Sequence, residues 1–498
     1  MSVQTVRSFV AGRFRESRSE EVQVDPIPDP ATGETIALLP YSTREEIDEA
    51  VRAARAAFPE WSNTPVPDRA QVMFRFKQLL EDHFEELALL VTRENGKTLP
   101  ESRGEVRRAI EVVDFSCGAP TLLMGTALDQ IADGIDEELV RFPVGVVAGI
   151  TPFNFPNMVP LWMIPLALVC GNTFVLKPSQ RTPLSAVRIA ELLVRAGLPD
   201  GVFNVVHGAK DAVDALLTHP EVDAVSFVGS ATVARYIYAT GAAHGKRVQA
   251  LGGAKNHMIV MEDADLERTV TAMVSSAFGN AGQRCLAGSV AVGVGKVGDA
   301  LVRELAEQAG RLKVGPGVEP DTDMGPVIRE ERKKELISYI EEGEEVGAAL
   351  VADGRGIERA DGFFLGPTIF DRVTPDMRLW REELFGPILS VVRASDVDEA
   401  IRIMNASPYG NAASIFTTSG AHAREFKRRA EAGMLGINIG IPAPMAFFPF
   451  TGWKHSFFGD LHATGMDGVR FYTRHKVVTS RWWLAPRLDH TQPEGRGH

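Results

Sequence analysis

Apolar positions recur at helical spacing between residues 43 and 115. Thr43 and Glu46 form a T-x-x-E capping box, and apolar residues then follow at positions 47, 50, 51 and 54, which predicts an amphipathic helix. A longer amphipathic segment over 68–95 ends at Gly96, and a further helix is predicted over 104–115. The first part of the chain therefore predicts a strand pair followed by helices.

The pattern changes at Val144, where short β-branched runs begin to alternate with helical segments. The runs read VGVVAGI, TFVLKP, GVFNVVHG and AVSFVG, and the helical segments lie near 158–170, 182–196, 209–218 and 230–243. Such alternation is typical of a parallel sheet covered by helices on both faces. Strands begin again after residue 256 and recur at ILSVVR and ASIFT, which predicts a second α/β domain.

One apolar stretch is long enough to imitate a membrane span. From Phe142 to Leu176 there are 35 residues without a charge, and about 20 are enough to cross a bilayer. Five prolines interrupt the stretch, and its three asparagines would lack partners in lipid. We therefore expect a strand, a turn and a buried helix here, and no membrane insertion.

Composition narrows the class of protein. The chain has 498 residues, which predicts about three domains. Its 53 basic residues against 65 acidic ones give a net charge of −12, which argues against nucleic acid as a partner. Three cysteines cannot form a disulfide framework, and no secretory signal opens the chain. We expect a cytoplasmic protein.

Two glycine-containing turns are candidates for binding a dinucleotide. Gly293, Gly295 and Gly298 match G-x-G-x-x-G, but no acidic ribose partner follows, so an ordinary strand-to-helix turn is the better interpretation. The second turn, at Gly229 and Ser230, also opens a helix whose amides can face a phosphate. Lys177 ends a strand, where ligands of α/β sheets usually lie. From spacing alone, Lys177 could equally be a solvated lysine, and the segment at Gly229 and Ser230 a simple turn without a ligand.

Cys285 is the candidate nucleophile. It lies in the small-residue loop GNAGQRCLAG directly after Arg284, and a cationic neighbour can favour the reactive thiolate. Cys117 and Cys170 lie in apolar helical surroundings, where core packing is the better interpretation.

Six motifs together resemble the aldehyde dehydrogenase superfamily. PFNFP (152–156), KPSQRTP (177–183), FVGS (227–230), LGGAKN (251–256), GQRCLA (282–287) and EELFGP (382–387) occur in the family's order, and the resemblance covers about residues 8–485. It implies an aldehyde dehydrogenase-like α/β fold. A Rossmann-like NAD domain would comprise 5–123 and 143–251, an α/β catalytic domain 252–455, and a small β oligomerisation element 124–142 with 468–485. The tail 488–498 is expected to be disordered.

The resemblance also implies roles for individual residues. Cys285 would attack an aldehyde, and Asn154 would stabilise the oxyanion together with the Cys285 backbone N–H. Lys177 would contact the adenosine ribose of NAD, Ser230 a phosphate, and Glu383 the nicotinamide end with Phe385. The full expected cofactor set is Thr151, Phe153, Lys177, Ser179, Gln180, Gly208, Gly229, Ser230, Leu251, Gly252, Glu383 and Phe385. Because position 180 is often Glu in NAD-preferring members, NADP stays open as an alternative. No metal is expected.

One departure from the family pattern is informative. Hydrolytic members carry Glu-Leu-Gly-Gly, whose Glu activates water, whereas this chain has Ala250-Leu-Gly-Gly. Without that base the acyl group needs another acceptor, which points to the CoA-acylating branch. Long stretches, such as GITPFNFPNMVPLWMIPLA and FYTRHKVVTSRW, resemble the methylmalonate-semialdehyde dehydrogenase family of that branch.

The substrates of that branch carry a carboxylate, which a guanidinium binds in bidentate geometry. Arg108 and Arg284 occupy the positions that the resemblance implies, although Arg108 could be a surface charge and Arg284 a structural ion pair. We expect oxidation of methylmalonate or malonate semialdehyde with NAD and CoA, by a homodimer or homotetramer. The alternatives are a hydrolytic aldehyde dehydrogenase that releases a free acid, and a non-catalytic scaffold with the same fold.

Overall fold

The structure is a computed structural model that describes residues 3–17, 22–357, 359 and 361–483. The helices are α1 Arg44–Asn63, α2 Val66–Asp82, α3 Phe84–Asn95, α4 Leu99–Cys117, α5 Ala119–Leu122, α6 Met158–Val169, α7 Leu184–Arg195, α8 Lys210–Thr218, α9 Ala231–Ala243, α10 Leu266–Phe278, α11 Val297–Gly310, α12 Glu330–Glu345, α13 Arg378–Arg381, α14 Val397–Asn405, α15 Gly420–Arg429 and α16 Gly465–Phe471, with 3₁₀ turns at Gly279–Gly282 and Gly354–Gly356. The predicted tail 488–498 lies outside the described residues.

The strands follow the same chain order. They are β1 Gln4–Thr5, β2 Ser8–Val10, β3 Arg13–Arg15, β4 Val24–Pro28, β5 Thr35–Pro40, β6 Thr126–Ala132, β7 Ile135–Pro143, β8 Val146–Ile150, β9 Thr173–Lys177, β10 Phe203–Val205, β11 Ala224–Val228, β12 Arg247–Leu251, β13 Asn256–Val260, β14 Gly288–Val294, β15 Ala349–Ala352, β16 Thr368–Asp371, β17 Ile388–Ala394, β18 Tyr409–Gly410, β19 Ala412–Phe416, β20 Met434–Ile437, β21 Trp453–Lys454, β22 Phe457–Gly459 and β23 Thr473–Arg481.

The N-terminal helices agree with the apolar pattern in most respects. The capping box of α1 forms, because the Thr43 hydroxyl and the Glu46 carboxylate each accept a backbone N–H of the other residue. The predicted segment 68–95 is two helices, α2 and α3, because the backbone at His83 leaves helical geometry. Gly96, at φ 92°, ends α3 in the left-handed region, which glycine adopts without strain.

The first large sheet has the strand order β22-β12-β11-β8-β9-β10-β2-β3. The five strands from β12 to β10 run parallel, and β8 lies at their centre between β11 and β9. Helices cover both faces, as two separate clusters of buried apolar side chains show. The chain reverses its direction of winding beside β8, and such a switch point forms a crevice at the carboxyl ends of the strands.

The second large sheet has the order β15-β16-β17-β14-β13-β19-β20, parallel from β16 to β20. It encloses its own core of apolar residues between 258 and 432. The third sheet, β23-β7-β6, joins the segments 124–142 and 468–485 as far as the latter is described. Most of its side chains are exposed, and Thr473 pairs with Pro143 at one end of the ladder and Arg481 with Ile135 at the other.

The long apolar stretch folds into β8, α6 and β9, all of them buried. No described helix combines the length and the apolar character needed to cross a membrane. The G-x-G-x-x-G segment is a turn between β14 and α11. There the Glu262 carboxylate accepts the Lys296 N–H at 2.6 Å, so a carboxylate takes the place that a phosphate would need.

Candidate active site

The carboxyl ends of the parallel strands bring the predicted cofactor residues together. Thr151 follows β8, Lys177 ends β9, and Ser230 follows the neighbouring strand β11. The Lys177 ammonium donates to the backbone oxygen of Gly208 at 2.9 Å, which links β9 to the turn after β10. Burial lowers the pKa of Lys177 to about 8. These residues therefore share one edge of the first sheet.

The groups at this edge suit a dinucleotide. The hydroxyl of Thr151 is buried and has no partner among the described residues. The Ser230 side chain caps none of the amides that begin α9, so these amides remain available to a phosphate. Lys177 keeps two of its three N–H groups for a ribose hydroxyl. Orphaned donors and acceptors at a switch point are the arrangement that a dinucleotide requires.

Contacts are seen for several more of the predicted cofactor residues. The Ser179 hydroxyl accepts the N–H of Arg181 at 3.1 Å. A side chain at Gly252 would lie 2.6 Å from the backbone oxygen of His455, so only glycine fits there. Phe153 and Phe385 meet edge to face, with ring centroids 5.9 Å apart. The structure thus brings residues from both large sheets to one place.

The loop that carries the cysteine is strained. Asn280 and Ala281 have φ values of 51° and 50°, and Gly282 follows at 71°. Left-handed backbone at non-glycine residues costs energy and clusters at functional sites. A side chain at Gly282 would lie 2.1 Å from the backbone oxygen of Gly386, so the loop packs its backbone directly against the EELFGP segment.

Two hydrogen bonds to its backbone oxygen hold Cys285 at the end of this loop. The amides of Asn256 and Asn411 donate to the Cys285 backbone oxygen at 2.9 and 2.8 Å. The backbone N–H groups of Cys285 and Leu286 face the sulfur and lower the pKa of the thiol. The thiol is thereby fixed at the junction between the two large sheets.

The net pKa shift of Cys285 is nevertheless upward. Burial is the largest cause and the nearby Glu383 carboxylate the second, and together they raise the pKa of the thiol to about 12. The Arg284 guanidinium lowers the pKa of the thiol, as the sequence predicted, but its effect is smaller than both. That guanidinium points to Glu101, at 2.7 Å.

Glu383 itself is half-buried beside the cysteine loop. One of its oxygens accepts the N–H of Ala254 at 2.8 Å, and the other lies where a side chain at Gly253 would have to sit. Burial raises the pKa of Glu383 to about 7. Its charge therefore changes near neutral pH.

Asn154 lies beside the cysteine loop. Its side-chain amide donates to the Gln283 backbone oxygen at 3.0 Å, which leaves its second N–H for another acceptor. An amide N–H and the backbone N–H of Cys285 on the same side of the sulfur can stabilise an oxyanion.

A cavity of about 290 Å³ opens in front of Cys285. Both arginines of the sequence prediction line it, together with Trp162, Phe450 and other apolar side chains. The lining residues are Lys97, Glu101, Gly104, Glu105, Arg108, Glu111, Val112, Phe155, Met158, Trp162, Asn280, Arg284, Cys285, Leu286, Ile441, Ala443, Pro444, Ala446, Phe450 and Thr464.

One face of α4 forms the charged wall of this cavity. Residues 101, 104, 105, 108, 111 and 112 recur at the three- and four-residue spacing of a helix face. Arg108 pairs with Glu111 at 2.8 Å and donates to the backbone oxygens of Ala443 and Pro444, each at 3.2 Å. The next arginine in the cavity, Arg284, has its guanidinium directly over the Cα of Gly279.

The position that lacks the general base lies near the end of β12. Side chains alternate across β12, and Ala250 belongs to the apolar cluster on the sheet face that packs against α1, α8 and α9. Leu251 belongs to the larger apolar cluster of the other face. Neither side chain carries a carboxylate that could activate water.

Four residues of the site escaped the sequence prediction. Asn256 and Asn411 hold the Cys285 carbonyl, and Lys97 and Glu101 hold the loops beside it. A signal existed for Glu101, because Thr98-x-x-Glu101 is a capping box at the start of α4. The asparagines and Lys97 act through backbone contacts that no local pattern reveals.

The fold and the site define a class of enzyme. The model of the aldehyde dehydrogenase family matches residues 14–478. The chain therefore belongs to the aldehyde dehydrogenase family, as its six motifs predicted.

The relatives at high identity share a narrower description. Malonate-semialdehyde dehydrogenase 2 of Geobacillus kaustophilus is 58% identical over 482 residues, which cover 96% of this chain and 99% of the relative. The crystal structure of a methylmalonate-semialdehyde dehydrogenase from Oceanimonas doudoroffii is 50% identical, with a TM-score of 0.95 over 97% of this chain and 99% of the other. A putative methylmalonate-semialdehyde dehydrogenase from Sinorhizobium meliloti, complexed with NAD, is 45% identical, with a TM-score of 0.95 over 98% and 100%.

Proposed function

We propose that this enzyme oxidises malonate or methylmalonate semialdehyde with NAD and transfers the acyl group to CoA. The observation that carries the proposal is the shared cavity, which is lined by Cys285, Arg108 and Arg284. An aldehyde carbon at the sulfur and a carboxylate at the arginines are the two ends of such a substrate. The printed names of the relatives support the same substrate class.

The residues of the site fit the chemistry of this reaction. The Cys285 thiolate adds to the aldehyde carbon, and the Asn154 amide and the Cys285 N–H stabilise the oxygen that becomes negative. Thr151, Lys177 and Ser230 would hold NAD at the sheet edge, and bound NAD would accept the hydride that leaves this carbon, so that a thioester would remain on the sulfur. We propose NAD as the coenzyme on the ground that the relative from Sinorhizobium meliloti is complexed with NAD.

The second half of the reaction follows from the missing glutamate at position 250. The thioester carries a β-carboxylate, which leaves as CO2, and the carbanion formed takes up a proton. With Ala250 in place of the Glu of hydrolytic members, water near the thioester lacks the general base of that motif. A thiolate such as that of CoA is intrinsically more nucleophilic and needs no such base. Attack of CoA therefore releases propionyl-CoA or acetyl-CoA.

Product analysis tests this proposal. Purified enzyme with malonate semialdehyde and NAD should form acetyl-CoA and CO2 only when CoA is added, and little free acid. Release of a free acid at the same rate without CoA would establish the hydrolytic alternative instead.

Arg108→Leu tests the carboxylate clamp. A lost pair between a guanidinium and a carboxylate costs about 2–5 kcal/mol, roughly 30- to 4000-fold in kcat/KM for malonate semialdehyde. The kcat/KM for propanal, which has no carboxylate, should change less than about threefold. The matched control is Arg107→Leu, because Arg107 lies next along α4 but pairs with Glu81 and does not line the cavity. Equal losses on both aldehydes would exclude the clamp.

We also propose a homo-oligomer in the cytoplasm. The third sheet exposes Leu128 and Val477 with 65% and 64% of their surfaces free, Trp482 directly after β23 is 72% exposed, and the edge strands have unpaired backbone groups. Such an edge pairs readily with another chain. Val477→Lys should therefore shift the mass measured by light scattering towards the monomer. The three cysteines are all free thiols, which fits a reducing compartment.

A further inference from the structure

Lys97 is a buried cation beside the active-site cavity. It lies in the turn between α3 and α4, and its side chain is fully buried. Its ammonium donates to Glu105 and to the Asn154 backbone oxygen, each at 2.6 Å, and lies 3.9 Å from the centre of the Phe155 ring. Its bonding capacity is thus taken up by the protein, and it has no need of a substrate contact.

The partner of this lysine holds the other end of the same segment. The second carboxylate oxygen of Glu105 accepts the backbone N–H groups of Asn157 and Met158 at 2.8 and 3.1 Å. The ion pair thus holds the segment from Asn154 to Met158 at its first carbonyl and at its last amides. Burial lowers the pKa of Lys97, and the charge of Glu105 opposes this shift.

Stability alone is a weak explanation for such a pair. Taking two charges out of water is costly, and a well-packed apolar pair of similar volume is often as stable. A strong, directional bond to one peptide group provides something that an apolar contact cannot, namely a fixed orientation. The peptide fixed here is the one from which the Asn154 side chain extends, towards the Gln283 carbonyl two residues before the cysteine.

We propose that Lys97 is a positioning residue that, through the Asn154 carbonyl, aims the Asn154 amide at the developing oxyanion. The proposal rests on the proposed function only for the role of Asn154 as oxyanion donor. In a positioning role, the effect of Lys97 on the rate depends on the presence of the Asn154 side chain. A purely structural role has no such dependence.

A double-mutant cycle tests this requirement. The readout is the first-turnover burst of NADH with propanal in the absence of CoA. Lys97→Met should slow the burst about 10- to 100-fold, since removal of one oxyanion donor costs 10²–10³. In an Asn154→Ala background the same change should cost less than about threefold, since coupled residues are not additive. In Lys97→Met, the rate at which iodoacetamide alkylates Cys285 should stay within about twofold of the rate in the unsubstituted enzyme, because the thiol itself is unchanged. Full additivity with Asn154→Ala, or an unchanged burst, would overturn the proposal.

Two further variants serve as controls, one for failure to fold and one for the loss of a lysine charge elsewhere. Lys97→Met leaves a buried carboxylate unpaired and can fail to fold, so Lys97→Met/Glu105→Gln removes both charges while Gln retains an acceptor for the two amides. The double variant should show the same slow burst and the same lack of additivity. The control is Lys77→Met, which breaks a surface ion pair with Asp114 and should leave the burst unchanged. Because the burst precedes the CoA step, a failure of CoA transfer would leave this result intact.

Discussion

The raised pKa of Cys285 predicts a slow and strongly pH-dependent thiol in the enzyme without cofactor. Only the thiolate reacts with an alkylating reagent. At pH 7.5 a thiol with a pKa of about 12 is ionised to roughly 3 × 10⁻⁵, against about 0.1 for a free cysteine with a pKa of 8.5. Because reactivity follows ionisation, alkylation of Cys285 should be roughly 3000-fold slower than that of an unfolded thiol, and it should rise about tenfold per pH unit up to pH 10.

Iodoacetamide labelling between pH 6.5 and 10 provides the measurement. Peptide mass spectrometry separates Cys285 from Cys117 and Cys170, whose pKa values are also raised by burial. Denatured enzyme serves as the control, and its thiols should titrate near the ordinary value. A labelling curve for Cys285 that levels off with a midpoint below pH 9 would refute the reasoning.

Three further changes test the surroundings of the cysteine. Glu383→Gln removes a charge that raises the thiol pKa, so Cys285 should alkylate about three- to tenfold faster, and only above about pH 7, where Glu383 is ionised. Ala250→Glu, which restores the Glu-Leu-Gly-Gly pattern of hydrolytic members, should add acid release without CoA, measured as free malonate-derived acid; an unchanged requirement for CoA would show that the missing base does not decide the acceptor. Gly282→Ala, at φ 71° and with no room for a methyl group, should lower the free energy of unfolding by about 2 kcal/mol or more in urea titrations.

The sequence was sufficient for the architecture and for the residues that stand in motifs. The alternation after Val144 predicted both parallel sheets, and the strand ends then placed Lys177 and Ser230 together. The sequence could not predict the register within a strand, because Ala250 and Leu251 are both apolar and both buried, and only the packing of β12 assigns them to different apolar clusters.

The sequence also could not predict the direction of the pKa shift of the Cys285 thiol. Arg284 is next to Cys285 in the chain, but its guanidinium turns to Glu101, which lies 183 residues away. Burial, which no sequence window reports, then outweighs the neighbouring charge and reverses the expected shift. Adjacency in sequence is therefore a poor guide to which charge acts on a nucleophile.

The distribution of charges agrees with the proposal that the substrate carboxylate is recognised by α4 and not by the cysteine loop. The loop is already strained at Asn280 and Ala281 and packed backbone to backbone against the EELFGP segment, so it can hold the nucleophile but has little freedom to adapt to a substrate. A helix can place charges at fixed intervals without strain, and α4 does so through Glu101 and Glu105, which bind loop groups, and Arg108, which lies one turn further along the same face. If Arg108 binds the carboxylate as proposed, the helix that anchors the cysteine loop through Glu101 also carries the group that binds the other end of the substrate, which keeps the separation between the two groups fixed.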